Sequence, residues 1–398
     1  MPANKIIQSP STMQNQNLPK NRIVLDEMIT TNKSSLTSSS QQNGIGSQRV
    51  KKLLQGVRIG GKLIRYKLFK KRFPLMVNLL LTNKCNLKCF YCYPQVFERE
   101  TNDITTEKWL SVVDEFHEMG TEVMVLLGGE PLLHKGIDQI VDRVKQHGMI
   151  CEMITNGYYL EKKEAIVKKL DSLCISIDGD EEENDNNRGK GSFKKAIDAI
   201  QLCKSWGLTT RVKAVITQNN ISSLDFLCDF AKEENVVLTL TLPSVHTESG
   251  DLKLTTEQAV KLWEKVRDYK KRGYPIGHTL TSIDYMLRWP YNHYEWVDKE
   301  TSKNFGTDTV LPCIREELSC YADVDGMIYP CAILWNKFPG KSFMDVGVDQ
   351  AWDNLKEKPC HSCGFIGEIE LNLLFTLSAK NIFESAKYYF KSQVIPTK

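Results

Sequence analysis

The sequence lacks any uninterrupted apolar run of the roughly 20 residues that a membrane-spanning helix needs, so we expect a protein that does not cross a membrane. Residues 1–20 are polar and contain no apolar core stretch, which predicts no secretory signal peptide. The net charge of +3 over 398 residues is too small to indicate binding to nucleic acid. The composition, 41% hydrophobic and 25% charged, is ordinary for a globular chain of one large or two medium domains.

Cysteine, by contrast, is abundant, with 12 in the chain. Without a signal peptide we expect a reducing, cytoplasmic location, where clustered cysteines indicate metal or redox chemistry more often than disulfides. Cys85, Cys89 and Cys92 are spaced C-x3-C-x2-C, and no fourth cysteine follows nearby. A structural zinc ion takes four protein ligands, and a closed iron–sulfur cluster also takes four. The missing ligand is therefore either remote in the sequence or not part of the protein.

The middle of the chain alternates between strand and helix patterns. From Met76 onward, six short apolar segments alternate with segments of helical periodicity. Apolar strands of this kind indicate a parallel sheet that is buried on both faces. We therefore predict an α/β fold, a partial (β/α)6 barrel of the TIM type. Polar residues and glycines follow the strands at the end where β/α barrels place their active sites.

Changes in composition divide the chain into segments. Residues 1–47 are rich in Ser, Asn, Gln and Thr and are predicted to be a disordered arm. Residues 48–74 form a basic amphipathic segment, and residues 75–245 the barrel. Residues 246–310 are predicted to be a linker whose aromatic side chains cap the cavity. Residues 311–398 are predicted to be a small cysteine-rich α+β extension, which contains a hairpin signal, Asp-Gly between alternating apolar positions.

The cysteine motif and three strand-end motifs together carry a family resemblance. GGEP at residues 128–131 ends the second strand, TNG at residues 155–157 the third, and SIDG at residues 176–179 the fourth. In this order, after C-x3-C-x2-C, they resemble the radical S-adenosylmethionine (radical SAM) superfamily. Each motif alone is a glycine turn, and three clustered cysteines alone also fit a zinc site completed by a histidine or a remote cysteine.

The resemblance implies a specific chemistry. Three thiolates leave one iron of a [4Fe-4S] cluster open, and in this superfamily that iron binds the amino and carboxylate groups of S-adenosylmethionine. An electron, supplied by a donor such as ferredoxin or flavodoxin, then cleaves the sulfonium to methionine and a 5′-deoxyadenosyl radical, which abstracts a hydrogen atom from the substrate. Such an enzyme, an oxidoreductase or a transferase, is expected to be oxygen-sensitive.

The resemblance also implies which residues bind S-adenosylmethionine. Arg188 is expected to face the methionyl carboxylate, because a guanidinium can pair with two oxygens. Glu130 is expected to receive the ammonium group, and the glycines would let the backbone approach the ligand. The implied cofactor-binding residues are Tyr91, Gly128, Gly129, Glu130, Thr155, Asn156, Ser176, Asp178 and Arg188.

A second set of cysteines lies beyond residue 300. Its members resemble those of the twitch domain, a short relative of the SPASM extension, and imply one auxiliary [4Fe-4S] cluster. The implied ligands are Cys313, Cys331, Cys360 and Cys363. Cys320 is an alternative to Cys313. Two cysteine pairs also fit a zinc ribbon, and that interpretation stays open.

The basic amphipathic segment departs from a minimal enzyme of this superfamily. From Arg49 to Arg72 it carries ten Lys or Arg and no acidic residue. Gly60 and Gly61 are predicted to divide it into two short helices. Three interpretations remain open: contact of residues 47–73 with an anionic membrane surface, docking of a peptide, and packing on the open side of the barrel. Nucleic acid is not expected, since few aromatic residues are available for base stacking.

Two hypotheses for the function follow. The first is a radical SAM enzyme with one auxiliary cluster, in the cytoplasm or at the membrane surface. Its substrate would be a peptide, a lipid-linked or sugar-like metabolite, or a cofactor precursor, and no catalytic residue beyond the cofactor site is assigned. The alternative is a non-catalytic metal-binding scaffold, or an assembly partner, on the same fold.

Overall fold

The structure, a computed structural model, describes the backbone of residues 42–92, 99, 102–244, 252–305, 309–335 and 337–376, and side chains from Leu53 onward. The chain divides into two compact units, Met1–Lys52 and Leu53–Lys398. The described part of the first unit is the beginning of a helix. The described side chains all lie in the second unit. The predicted disordered arm lies outside the described residues, except for residues 42–47, which belong to that helix.

The basic segment forms one uninterrupted helix, α1 (Gln42–Phe69), so the prediction of two short helices is wrong. Gly60 and Gly61 lie inside α1, and a helical glycine costs roughly 0.5–1 kcal/mol relative to alanine. Burial of one face of the helix offsets this cost. That face packs in a cluster formed by Leu63, Tyr66, Leu75, Leu318 and Phe375.

Polar contacts place the second half of α1 at the amino ends of the strands. Arg58 and Lys62 both form ion pairs with Glu122, which is buried. Arg58 also donates to the carbonyl of Gly148, and Lys62 to that of Gly120, at 2.8 Å each. No helix in the described ranges is long and apolar enough to cross a bilayer.

Six parallel strands form most of the main sheet. They are β1 (Met76–Leu80), β2 (Val123–Leu127), β3 (Ile150–Thr155), β4 (Ser172–Ser176), β5 (Thr210–Val215) and β6 (Val237–Thr241). Each strand pairs in parallel with the next, so their order in the sheet follows the chain. Most of their apolar side chains are buried, as expected for a sheet covered on both faces. The predicted partial β/α barrel is confirmed.

Helices connect these strands. They are α2 (Thr106–Met119), α3 (Ile137–Gln146), α4 (Glu164–Val167), α5 (Glu181–Arg188), α6 (Ser192–Ser205) and α7 (Leu224–Glu233). Helix α2 shows why they form where they do. The Thr105 hydroxyl accepts from the Lys108 amide at its start, Gly120 adopts a left-handed conformation at its end, and its apolar face, which includes Trp109 and Phe116, is fully buried.

The C-terminal part continues the same sheet. Its elements are α8 (Thr256–Lys271), α9 (Leu280–Arg288), β7 (Trp296–Val297), α10 (Lys299–Ser302), β8 (Ser319–Ala322), β9 (Ile328–Tyr329), α11 (Phe343–Val346), α12 (Val348–Asp353), β10 (Ser362–Cys363) and α13 (Ile366–Phe375). Strand β8 pairs in parallel with β1, and β9 returns antiparallel to β8 around Gly326, which has a φ of 86°. The predicted hairpin is confirmed, and it extends the barrel sheet by two strands.

Candidate active site

The cysteine motif lies in the loop after β1, at the carboxyl edge of the sheet. Two backbone hydrogen bonds hold this loop against the end of β2: Gly129 donates to Thr82 at 2.7 Å, and Glu130 donates to Lys84 at 2.8 Å. A Cβ on Gly129 would lie 2.3 Å from the Lys84 carbonyl oxygen, closer than real Cβ contacts allow. The glycine is therefore required by the cysteine loop itself, in addition to any approach of a ligand.

Asp103 anchors the same loop, and sequence reasoning missed it. Its carboxylate accepts from the Thr82 hydroxyl at 2.8 Å and from the Asn83 amide at 3.0 Å, and it forms an ion pair with Lys84 at 3.0 Å. Burial alone would raise the pKa of Asp103, but these donors outweigh burial and lower it. The residue stands about 20 positions beyond the loop in a polar segment, where nothing in the sequence marks it.

A cavity of about 230 Å³, the first cavity, opens at this edge of the sheet. Ten of the predicted site residues line it. They are Cys85, Cys89, Tyr91, Cys92, Gly128, Gly129, Thr155, Asn156, Ser176 and Arg188. Among the described residues on this wall there is no carboxylate, no imidazole and no fourth thiol. The structure thus brings the strand-end motifs together with the three cysteines around one space.

Glu130 is not on the wall of the first cavity. It is fully buried, and its carboxylate accepts from the Thr155 hydroxyl at 2.8 Å, the Asn156 amide at 2.9 Å and the Leu132 amide at 3.1 Å. Burial raises the pKa of Glu130 to about 7, although the three donors oppose that rise. The side chain therefore ties the end of β2 to the end of β3, and through them it positions two wall residues.

Asp178 also lies behind the wall and is fully buried. It accepts from the Tyr91 hydroxyl, and Arg188 reaches it with Nε at 2.7 Å and Nη2 at 3.0 Å. The Arg188 guanidinium also lies 5.5 Å from the centroid of the Tyr91 ring. Burial acts to lower the pKa of Arg188, but Asp178 outweighs burial and raises it. The charge of Arg188 is therefore already balanced inside the protein.

Several wall residues were not predicted. Asn78 on β1 donates to the Cys320 carbonyl at 3.2 Å, and Lys213 on β5 lies near Ser176 on the neighbouring strand. Asn78 is the one polar residue of β1, and that interruption is the signal by which the sequence could have revealed it, whereas Lys213 shares β5 with Thr210 and Arg211 and does not stand out in the same way. Tyr321 on β8 reaches the wall because β8 pairs with β1, a contact between remote segments that no local pattern indicates.

The 246–310 segment, whose aromatic residues are predicted to cap the cavity, packs some of them in the protein interior. Trp289, His293 and Tyr294 are buried, and the Tyr294 hydroxyl accepts from the Leu254 amide at 2.8 Å. In the part of the chain that the structure describes, no residue of the 246–310 segment lines the first cavity. The described part of this segment therefore does not line the first cavity, although Trp296 lines a second, cysteine-lined cavity, and the capping role stays a prediction.

The second set of cysteines lines another, smaller cavity, the second cavity. Its four thiols are Cys313, Cys331, Cys360 and Cys363. The other three thiols are close enough to influence Cys331: burial, followed by Glu368 and these thiols, holds the pKa of Cys331 well above its usual range. Cys320 is buried on β8 and is not on this wall.

Two ion pairs border the second cavity. Arg315 Nε lies 3.0 Å from Glu368, and Lys358 Nζ lies 3.4 Å from Glu316. Lys358 also donates to the carbonyls of Cys313 and Cys360 at 3.1 and 3.0 Å. Across the described residues, no group of three or more His, Cys, Asp or Glu side chains is arranged to hold a metal ion.

The chain was compared with known families and proteins. Residues 79–231 match the model of the radical SAM superfamily. The chain is 29% identical over 224 residues to Fe-coproporphyrin III synthase of Methanosarcina barkeri, a match that covers 53% of this chain and 56% of the synthase. It is 26% identical over 312 residues to the mycofactocin maturase MftC of Mycobacterium tuberculosis, and this match covers 73% of this chain and 76% of the maturase. The match to the synthase thus spans little more than half of that relative.

Solved structures share the fold. Streptococcus suis SuiB superposes with a TM-score of 0.54 at 17% identity, over 86% of this chain and 77% of SuiB. The structure of anSMEcpe with bound AdoMet and Cp18Cys peptide gives a TM-score of 0.54 at 17% identity, over 81% of this chain and all of that one. At this level of identity, the likeness establishes the fold alone.

The close contact at Gly129 predicts that adding one methyl group at this position strongly destabilises the folded protein. We expect Gly129→Ala to lower the free energy of unfolding by about 1–3 kcal/mol or more, because the Lys84 backbone cannot move without displacing the cysteine loop. The matched control is Gly60→Ala, which meets no atom within 4 Å and should raise stability by about 0.5–1 kcal/mol. Urea unfolding of the full chain measures both. Equal stability of Gly129→Ala and the original protein would contradict the contact.

Proposed function

Because residues 79–231 belong to the radical SAM superfamily, we propose that this chain is an enzyme that cleaves S-adenosylmethionine and abstracts a hydrogen atom from its substrate. The observation that carries the proposal is the first cavity. Cys85, Cys89 and Cys92 share its wall, and the described part of that wall offers no fourth protein ligand. Three thiolates fit a [4Fe-4S] cluster with one open iron better than a closed zinc site.

The cluster, when bound, supplies the electron that cleaves S-adenosylmethionine, and the protein orients the ligand. Arg188 uses two guanidinium nitrogens on Asp178, which leaves Nη1 for the methionyl carboxylate. Lys213 on the same wall adds a positive charge. Asn156 and Ser176 offer hydrogen-bonding groups there. Glu130 and Asp178 act from behind the wall, by holding these residues in place.

The four thiols of the second cavity support one auxiliary [4Fe-4S] cluster. Cys313 shares the cavity with Cys331, Cys360 and Cys363, whereas Cys320 faces elsewhere. This favours Cys313 as the fourth ligand. A zinc ribbon uses the same donor set, so metal analysis decides between the two.

We propose a peptide as the substrate class. Relatives of the chain include a PqqA peptide cyclase, 31% identical over 167 residues, which covers 40% of this chain and 44% of the cyclase. Solved structures of the same fold include SuiB with its precursor peptide SuiA. A cofactor precursor is the second candidate, since the coproporphyrin synthase named above is also similar. A ferredoxin or a flavodoxin is the expected electron donor.

Cleavage of S-adenosylmethionine tests the proposed activity. Reconstituted, anaerobically reduced protein is expected to form 5′-deoxyadenosine, measured by liquid chromatography. Replacing Cys85, Cys89 and Cys92 by Ala should abolish this product and leave about half of the iron, because the second cavity keeps its thiols. The matched control replaces the buried Cys151, Cys203 and Cys228 by Ala, cysteines that line neither cavity.

Three outcomes contradict parts of the proposal. Protein with both clusters filled that never forms 5′-deoxyadenosine would favour the non-catalytic scaffold. Zinc in place of iron in the triple variant would support a zinc ribbon at the second cavity. Full activity of the triple variant would overturn the assignment of the three cysteines.

We further propose that α1 contacts an anionic membrane surface. The outward face of α1 carries apolar side chains at helical spacing. Each of them exposes more than half of its surface: Leu53, Leu54, Val57, Ile64 and Leu68. Arg65, Lys67, Lys70 and Lys71 are exposed beside them. No acidic residue lies between Arg49 and Arg72, so the charge of the segment is complementary to an anionic lipid surface. Each Lys or Arg near an anionic lipid surface contributes about 1 kcal/mol to the free energy of membrane binding.

Sedimentation with vesicles tests this contact. The full chain is expected to bind vesicles of phosphatidylglycerol and phosphatidylcholine at low salt and to dissociate as salt rises, since screening weakens the electrostatic attraction. Replacing Val57, Ile64 and Leu68 by Ser should reduce the bound fraction severalfold. Met344→Ser, at an exposed apolar position outside α1, is the control. Absence of binding at any salt, or unchanged binding of the triple variant, would refute membrane contact.

A further inference from the structure

Arg315 is the most deeply buried cation at the second cavity. Only 2% of its side chain is exposed, and Arg315 lines the cavity together with the four cysteines. Nε lies 3.0 Å from Glu368, but Nη2 is buried without a hydrogen-bond partner among the described residues. A buried donor without a partner is unfavourable, because it has lost its hydrogen bonds to water without replacing them. Such a donor in a residue that lines a cavity indicates a ligand that completes its hydrogen bonds.

Arg99, whose side chain is 11% exposed, shows that an arginine in an ion pair can have both of its terminal nitrogens engaged. Arg99 reaches Asp323 with Nη1 at 3.1 Å and with Nη2 at 3.1 Å, so that both terminal nitrogens are engaged. In the described ranges, Nη2 of Arg315 is the one terminal guanidinium nitrogen that is buried and has no partner. A purely structural ion pair with Glu368 would not explain why this nitrogen has no partner in an arginine that lines a cysteine-lined cavity.

Tyr321 places Arg315 between the two cavities. Tyr321 lies on the wall of the first cavity, and it is close enough to Arg315 for this side chain to oppose the rise in the pKa of Tyr321 that burial causes. It faces the barrel because it is paired in register with Asn78 of β1, another residue of that wall. The two side chains therefore connect the space proposed for S-adenosylmethionine and substrate with the space proposed for the auxiliary cluster.

We propose that Arg315 donates a hydrogen bond from Nη2 to a sulfur of the auxiliary cluster, held in that position by Tyr321, and thereby raises the reduction potential of the cluster. The inference rests on the auxiliary cluster of the proposed function. When such a cluster takes up one electron, its net charge becomes one unit more negative. A cationic donor at its sulfur stabilises this reduced state more than the oxidised one. Tyr321 is accordingly a positioning residue, since it acts on the cluster through Arg315.

A redox titration followed by electron paramagnetic resonance tests this inference. The experiment uses the full chain with Cys85, Cys89 and Cys92 replaced by Ala, so that the signal comes from the auxiliary cluster alone. Arg315→Gln should shift the midpoint potential to a more negative value. Arg315→Lys, which keeps the charge but loses the planar fork, should give a smaller shift. Tyr321→Phe should shift the potential in the same direction, because it releases the Arg315 side chain.

Arg99→Gln is the matched control, since Arg99 is a largely buried, ion-paired arginine that does not line the second cavity. It should leave the potential unchanged. If the cluster is intact and the potential is unchanged in both Arg315→Gln and Arg315→Lys, the proposed role of Arg315 is overturned. A shift in Arg99→Gln as large as that in Arg315→Gln would overturn it as well. Absence of any iron–sulfur signal in the starting triple variant would instead overturn the auxiliary cluster itself, and the inference with it.

Discussion

The contact between the cysteine loop and the end of β2 is the constraint on which the rest of the site depends. The loop after β1 is held by two backbone hydrogen bonds, and it can approach this closely only because Gly129 has no side chain. Asp103 holds the loop from its other side. Glu130 then joins the same strand end to β3. The three cysteines are therefore positioned by backbone packing and by carboxylates that do not themselves line the cavity.

Pairing of β8 with β1 is the second organising feature. It brings the C-terminal extension into the barrel sheet, from Met76 opposite Ser319 to Leu79 opposite Ala322. This register places Tyr321 on the wall of the first cavity, while its neighbour Arg315 borders the second. An enzyme that uses two clusters needs them at a fixed separation, and a shared sheet provides that rigidity better than a flexible linker.

Much of the architecture could be predicted from local patterns. The six β/α repeats follow from apolar strands that alternate with amphipathic helices, and the strand-end motifs indicate one edge of the sheet because parallel strands end together. The face on which a side chain lies was harder to predict. Glu130 and Asp178 belong to motifs at strand ends, yet they lie behind the cavity wall. Both follow the last residue of their strand, Leu127 and Ser176, so the alternation of a strand does not determine the side on which they lie.

Contacts between remote segments account for the other differences between the sequence predictions and the structure. Helix α1 continues through Gly60 and Gly61 because its packing against Leu318 and Phe375, more than 200 residues away, outweighs the cost of the two glycines. The anchoring role of Asp103 and the place of Tyr321 depend on similar long-range contacts. Composition and periodicity report a residue's neighbours along the chain, so they could not indicate any of these.

The most direct test of the account is whether S-adenosylmethionine binds an open iron in the first cavity. Electron–nuclear double resonance of the reduced, reconstituted protein, with S-adenosylmethionine labelled with nitrogen-15 in its amino group, measures this contact. We expect hyperfine coupling between the cluster and the labelled nitrogen, because three cysteine ligands leave one iron free to bind it. Binding of the labelled molecule, shown by equilibrium dialysis, without any such coupling would contradict the account.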